Sequence, residues 1–322
     1  MKRSAVLAAL LLLAQSALAQ DYPARPITLV LPLGAGGAMD IIARGQFEPK
    51  LKERLGKPVI IENRTGGGTV IAATTVAKSP PDGYTLFFVP AGTLTTNAAL
   101  YKQLPYDPAK DFVPIAMTSK LGFVLVVNSS LPVHSVADLI KYAKERPGQL
   151  AFGSTGIGAT PHLAVEMLKR AAGLQITHVP YRGMPQAVND VVAGHVQLVF
   201  ADAVNVPALV QQGRVRALAV SSLTRVGAVP DVPTMAEVGF PGFEAVSWHM
   251  IVAPTGTPKD IVTRLHAEFK AIVASREFEQ QVTKMGLISI DSPPPDALLR
   301  FLHEEIGRWG TLVRDVGIAG TQ

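Results

Sequence analysis

The sequence predicts an α/β protein of two lobes, with helices packed on both faces of parallel sheets. Two observations carry this. Short apolar runs rich in branched residues alternate with segments of helical spacing along most of the chain. One unit, an apolar run that feeds a helix through a glycine-dense turn, occurs twice, at residues 27–44 and again at 150–172. Such a unit gathers unpaired backbone N–H groups and a helix N-terminus at one edge of a sheet, where the potential favours anions. Two such edges that face each other would close on a small carboxylate.

The first residues stand apart from that fold. Lys2 and Arg3 form a positive n-region, residues 5–13 form an apolar run too short to span a bilayer, and Ala17-Leu18-Ala19 has the small-x-small pattern of a signal-peptidase site. Residues 1–19 are therefore expected to be a signal peptide cleaved between Ala19 and Gln20, with the mature chain exported from the cytoplasm. Without Lys2 and Arg3 the chain keeps 28 basic against 25 acidic residues, a net charge of +3. These charges are scattered, with no basic block and no aromatic–basic interleaving, which argues against a nucleic-acid partner. The chain has no cysteine, so disulfides and thiolate chemistry are excluded. The remaining length of about 300 residues suffices for one large domain or two ordinary lobes.

In chain order, residues 27–31 read as a strand, Gly34-Ala35-Gly36-Gly37 as the first glycine turn, and residues 40–44 as the start of a helix. Residues 59–63 form a strand, Thr65-Gly66-Gly67-Gly68-Thr69 a turn, and 70–78 an alanine-rich helix. Pro80-Pro81-Asp82-Gly83 is a turn in which proline presets φ and glycine accepts positive φ. Strands follow at 85–89, 115–117 and 123–127, then a helix at 136–144. The second unit is the strand 150–152, the turn Gly153-Ser154-Thr155-Gly156-Ile157-Gly158-Ala159-Thr160, and a helix from Pro161, with proline allowed in its first turn. Strands at 177–181, 198–200 and 215–220 alternate with helices at 185–192 and 206–212. A strand at 245–253 and long helices at 258–275 and 295–316 end the chain, and these last helices are expected to return over the first lobe.

The glycine turns do not fit nucleotide signatures. Position 39 is methionine where G-x-G-x-x-G needs its third glycine, and no turn has the Gly-Lys-Ser/Thr of a P-loop. The Gly34 and Gly153 turns are read as anion-facing, and Gly66-Gly67-Gly68 simply as a tight turn. Ser154, Thr155 and Thr160 can add hydroxyl donors or cap the following helix. Asp40, in the first turn of its helix, would repel an anion if it pointed inward and is expected to face its own backbone. Asp202 follows a strand end and either faces the cleft or is a solvated loop acid. Ser154 is not in a G-x-S-x-G elbow, and no base for it is recognisable. The seven histidines show no paired spacing, which gives a zinc site little support. His162 reads as structural, and Trp248 and Tyr181 as core.

These residues resemble the periplasmic solute-binding proteins of tripartite tricarboxylate transporters, the Bug family. The resemblance rests on residues 32–44, Glu62-Asn63-Arg64-Thr65-Gly66-Gly67-Gly68, Asp82-Gly83-Tyr84-Thr85-Leu86, 107–115, 153–163, His178-Val179-Pro180-Tyr181-Arg182-Gly183, Arg216-Ala217-Leu218-Ala219-Val220 and 253–258, in order over the mature chain. It implies a type II periplasmic-binding-protein fold, two α/β lobes joined by crossing hinge segments with the ligand between them. Lobe 1 is then 20–120 plus 225–322, and lobe 2 is 121–224. It implies a first ligand loop with Gly34, Ala35, Gly36, Gly37, Met39 and Asp40, and a second with Ser154, Thr155, Gly156, Gly158 and Thr160. Thr93 and Asp202 fall where the family often places polar cleft residues. It also implies a monomer that binds a small organic carboxylate without cofactor, metal or catalysis, and delivers it to membrane permease subunits or a sensor kinase.

The sequence departs from the family pattern at the loops. Gly34 stands where proline is common, Ala38-Met39 replaces a frequent Ser/Thr-containing pair, Ile157 stands for asparagine, and Ala159 for serine or threonine. Each change removes polarity, so a carboxylate with an apolar or aromatic body is expected over a citrate-like polyacid. The competing readings are an exported α/β hydrolase acting through the Ser154 loop and an orphan sensory binding protein.

Overall fold

A computed structural model describes residues 22–181 and 183–322; the predicted leader at 1–19 and its cleavage point lie outside them. The chain enters with β1 (Ile27–Leu31) and α1 (Ala38–Ile42). That helix runs on through a π-helical turn, Ala43–Phe47, into α2 (Glu48–Leu55), which stops at Gly56 in the left-handed region with φ 69°. Next come β2 (Val59–Asn63), α3 (Val70–Ala77), β3 (Thr85–Pro90), and the short helices α4 (Ala91–Leu94) and α5 (Asn97–Leu100). The strand β4 (Phe112–Leu121) leads through Gly122 into β5 (Phe123–Asn128).

The second unit comprises α6 (Val136–Lys144), β6 (Leu150–Ser154), α7 (Thr160–Ala172), β7 (Ile176–Pro180), α8 (Met184–Ala193), β8 (Leu198–Asp202), α9 (Val206–Gln211) and β9 (Val215–Val220). The chain closes with β10 (Ser247–Pro254), α10 (Lys259–Val273), α11 (Arg276–Lys284), β11 (Ile288–Ser289) and α12 (Pro295–Asp315). No helix among the described residues is long and apolar enough to cross a membrane.

The strands form two sheets, ordered β11-β4-β10-β3-β1-β2 and β7-β6-β8-β5-β9. Both are mixed, which corrects the expectation of parallel sheets. In the first, β1 pairs parallel with β2 and β3, but β10 runs antiparallel to β3 and β4. In the second, β6 pairs parallel with β7 and β8, while β5 runs antiparallel to β8 and β9. The odd strands are those adjoining the passages between sheets, where the chain arrives from the other unit instead of from a crossover helix.

Alternation along the strands explains the cores. In β3, Leu86 and Phe88 face one side with Ile27, Leu29 and Phe269, while Phe87 and Val89 face the other with Val30, Trp248 and Leu302. In β5, Leu125 and Val127 pack against α7, and Val124 and Val126 against α8. Burial on both faces is why these strands read as unbroken apolar runs. The last helix does more than cover the first unit. Its Leu298 and Leu302 join the core beside β10, whereas Trp309 and Val313 join the core beside β5. Between them Glu305 accepts the indole N–H of Trp248 at 3.1 Å and of Trp309 at 2.9 Å, and pairs with Arg308 at 2.7 Å.

Phe47 sits at the centre of an aromatic cluster, edge-on to Phe88 and Phe269 and stacked on Phe278, with no solvent exposure. Phe47→Ala should cost about 3–5 kcal/mol in a urea unfolding titration. A loss below about 1 kcal/mol would mean that this cluster does not anchor the unit.

Candidate functional site

The glycine turns lie beyond the C-terminal ends of β1 and β6, the side of an α/β sheet where ligands bind. In the second turn Ala159, the residue before α7, offers no side-chain cap. The backbone N–H groups of Ile157 and Thr160 make no hydrogen bond to another described residue, and α7 is 13 residues long, so its N-terminal field is developed. Gly158 holds φ +78°, and a Cβ there would lie 2.7 Å from Leu100 Cδ2, so glycine is required. The Gly158 N–H donates to His162 Nδ1 at 3.1 Å, and Ser154 Oγ accepts the Gly156 N–H at 3.1 Å while lying 2.7 Å from His178 Nε2. The His162 and His178 rings pack 4.0 Å apart, with Phe152 stacked beside them.

In the first turn Asp40 faces its own loop, as the sequence suggested. Its Oδ2 accepts the Gly36 N–H, and its Oδ1 accepts Asn63 Nδ2 and Arg44 Nε, at 2.9 to 3.0 Å. Burial opposes the charge, but these donors outweigh it and hold the carboxyl below its usual range.

A cavity of about 770 Å³ opens between the two sheets. Thr93, Thr155, Gly156, Gly158, Thr160 and Asp202 line it, with Thr69, Thr96, Asn97 and Tyr101 adding polar groups and Leu33, Leu100, Leu121, Phe123, Ile157 and Met184 the apolar wall. A contiguous recess of about 210 Å³ is lined by Gly34, Gly37, Met39, Asp40 and Asp202, and shares Leu33, Leu121 and His249 with the larger cavity. No described residue lining either space is lysine or arginine.

Of the sequence candidates, Ala35, Gly36 and Ser154 line neither space. Ser154 is fully buried and braces its loop from behind. The Gly66-Gly67-Gly68 turn, read as a simple turn, needs correcting: Tyr101 Oη donates to the Gly67 carbonyl and Asn97 to that of Gly68, which sets Gly68 and Thr69 in the cleft wall. Thr69 and Thr93 hydroxyls meet at 2.7 Å. Sequence reading also missed His249, whose Nδ1 faces Ser119 Oγ at 3.1 Å and which lines both spaces. Its signal was visible only as a lone polar residue inside an apolar strand.

Ser154 and His178 stand at the spacing of a nucleophile and its base, the element the sequence lacked. The parallel register of β6 and β7, Phe152 opposite His178, brings them together. The serine, however, has no exposed surface and its hydroxyl is spent on the loop backbone.

Comparison with known proteins agrees with this geometry. Residues 42–318 match the model of the tripartite tricarboxylate transporter family receptor, TctC. The chain belongs to the TctC family. It is 36% identical to protein BugT of Bordetella pertussis over 303 residues, 93% of this chain and 91% of that protein. It is 38% identical to a UPF0065 protein of the tcbD-tcbE intergenic region of Pseudomonas sp. strain P51, covering 94% of this chain and 89% of that protein. Among solved structures, R. palustris Rpa4515 with adipate superposes with a TM-score of 0.80 at 38% identity, covering 93% of this chain and 99% of that one. MatC from Rhodopseudomonas palustris with bound malate superposes with a TM-score of 0.76 at 32% identity, covering 91% and 100%. The family members are periplasmic solute-binding proteins of two-lobed α/β fold, and the chain is a binding protein, not an enzyme.

Burial pushes His162 down to about 3, helped by His178 and Lys169, and pushes His178 and His249 down to about 4. Unfolded, each titrates near 6.5. Between those values the unfolded chain binds more protons, so stability rises with pH. The stabilisation is complete above about pH 6.5 and is lost as pH falls toward about 4. The thermal midpoint should therefore drop between about pH 7 and about pH 4.5, with a shallower slope in His178→Gln. A flat midpoint over that window would contradict the neutral histidine stack.

Proposed function

We propose that the chain is exported to the periplasm, captures a small carboxylate with an apolar body in the cleft, and presents it to a tripartite tricarboxylate-type permease. The observation that carries this is the cleft itself: unpaired N–H groups at the start of α7, an apolar wall, and no basic side chain among its described residues. Export is supported by the charged, apolar and small-residue regions of positions 2–19, and the partner by the family.

Capture proceeds without chemistry. The two lobes turn about Gly122 and the return into β10, while residues 226–245 stay packed in the cores of the second sheet. Contacts made only in the closed form supply the differential affinity that shifts the population. Leu33 and Ile157, 43% and 40% exposed at the mouth, are covered on closure. Micromolar affinity needs about 8 kcal/mol, and charge-assisted hydrogen bonds of about 1.5–3 kcal/mol each with some apolar burial reach it after association costs.

Ile157 and Ala159 place alkyl groups on the loop that touches ligand, and Leu121 and Phe123 continue that surface. A linear dicarboxylate such as adipate should therefore raise the thermal midpoint by several degrees at saturating concentration, and citrate by far less. Gly158→Val, which strains φ and pushes into Leu100, should weaken adipate binding at least about tenfold in calorimetry. Tighter binding of citrate would overturn the apolar preference, and no response to any carboxylate would overturn capture.

A further inference from the structure

We propose that Asp202 is a specificity residue that carries a proton in the liganded cleft and donates it to one carboxylate of a bound dicarboxylate, so that capture takes up one proton from solvent. This rests on the carboxylate-capture reading above and adds what happens at the far end of the ligand.

Asp202 closes β8, opposite Phe123 of β5. It lines the larger cavity and the recess alike, so it stands where the two meet. The anion-binding N–H groups of the second loop line the same cavity, and a ligand long enough to use both ends of the space meets this carboxyl.

The groups around it are poor partners for a negative charge. From β10 comes His249, neutral because burial lowers it to about 4. From α1 comes Asp40, whose charge is already answered by Arg44 and by the Gly36 and Asn63 donors. The β4, α11 and adjoining loop residues, Leu121, Met285, Leu287 and Val204, bring no charge, and Gly183 and Met184 beside α8 bring none. No described lysine or arginine lines the space. Burial alone moves the Asp202 carboxyl, up to about 6.

A dicarboxylate makes the ionised form worse. Two carboxylates brought together in one desolvated site keep a proton between them, because both cannot ionise at close range. The proton turns an acceptor-only group into a donor, and a repulsion into a charge-assisted hydrogen bond. A monocarboxylate gains nothing from this, so Asp202 selects ligands with a second acidic end.

The test is isothermal titration of the intact mature protein with adipate from about pH 6.5 to about pH 8.5, where adipate is fully ionised and His249 stays neutral, in buffers of differing ionisation enthalpy. Wild type should take up close to one proton per ligand near the upper limit, and its Kd should weaken on the order of 50-fold across the range. Asp202→Asn has a donor that does not titrate, so its Kd should be flat with pH, its proton uptake zero, and its affinity at the upper pH tighter than wild type. Wild-type binding with no proton uptake and a flat Kd overturns this inference and leaves capture standing. Loss of adipate binding by a folded Asp202→Asn at every pH also overturns it, since the carboxylate would then be acting as an acceptor. Should that variant not fold, the wild-type proton count decides alone. Failure of wild type to bind any dicarboxylate overturns capture and this inference together.

Discussion

Capture as proposed relies on oriented dipoles, the unpaired backbone N–H groups of Ile157 and Thr160 at the start of α7. Dipoles are effective only when they need not reorient as the ligand arrives. That requirement explains why so much structure lies behind the second loop. Ser154, His178 and His162 are each partly or wholly removed from solvent, and each bonds or stacks to fix a segment whose other residues line the cavity. A loop with two positive-φ glycines, Gly156 and Gly158, would otherwise lose much conformational freedom on each encounter. In the first loop Asp40 serves the same end, at the expense of one N–H. The Gly36 amide is tied to the carboxylate and is no longer available to ligand.

Two lobes that close on a ligand, as proposed, need connections that bend without coming apart. The passage from β4 to β5 and the return before β10 are joined by hydrogen bonds: the Phe123 N–H donates to Ser221 Oγ, which donates to the Ala245 carbonyl. Gly122 lets them approach, since a Cβ there would lie 3.1 Å from Ser222 Oγ. The helix α12 is a third link, seated in both cores. At its middle burial works against the Glu305 charge, but Arg308 and the two indole N–H groups hold the carboxyl below its usual range. A buried carboxylate with every donor satisfied fixes one arrangement of Trp248 and Trp309. The helix thereby ties the two cores together.

Much of this was legible in the sequence. Strands buried on both faces announce themselves as apolar runs, and β1, β3, β5 and β8 lie where those runs predict, as do the edge strands β2 and β9. The glycine turns, the Pro161 helix start and the Asp40 carboxylate turned onto its own loop follow from local chemistry alone. What escaped depends on register between distant segments. Nothing near Ser154 shows that the parallel pairing of β6 and β7 will deliver His178 to it. The turn at Gly66-Gly67-Gly68 becomes a cleft wall only because Asn97 and Tyr101, some 30 residues on, reach its carbonyls. The helix α11 was missed for a different reason: Arg276–Lys284 is mostly polar, and only Phe278 and Val282 are buried. The antiparallel β10 was invisible because an apolar run carries no direction.

The Ser154–His178 contact shows why distance alone does not assign chemistry. A serine 2.7 Å from an imidazole nitrogen satisfies the geometric requirement for an activated nucleophile. Catalysis also needs the oxygen to reach substrate, and here it is fully buried while Thr155, Gly156, Ile157 and Gly158 line the cavity. It needs a base whose protonated form is tolerated, whereas burial, with Lys169 nearby, pushes His178 down to about 4 and the neighbouring His162 lower still. A group that resists protonation cannot accept the serine proton, so the environment that makes the pair a firm brace removes its capacity as a base. The apolar stacking that fixes the loop and the chemistry that would make it reactive exclude one another, and this chain has kept the brace.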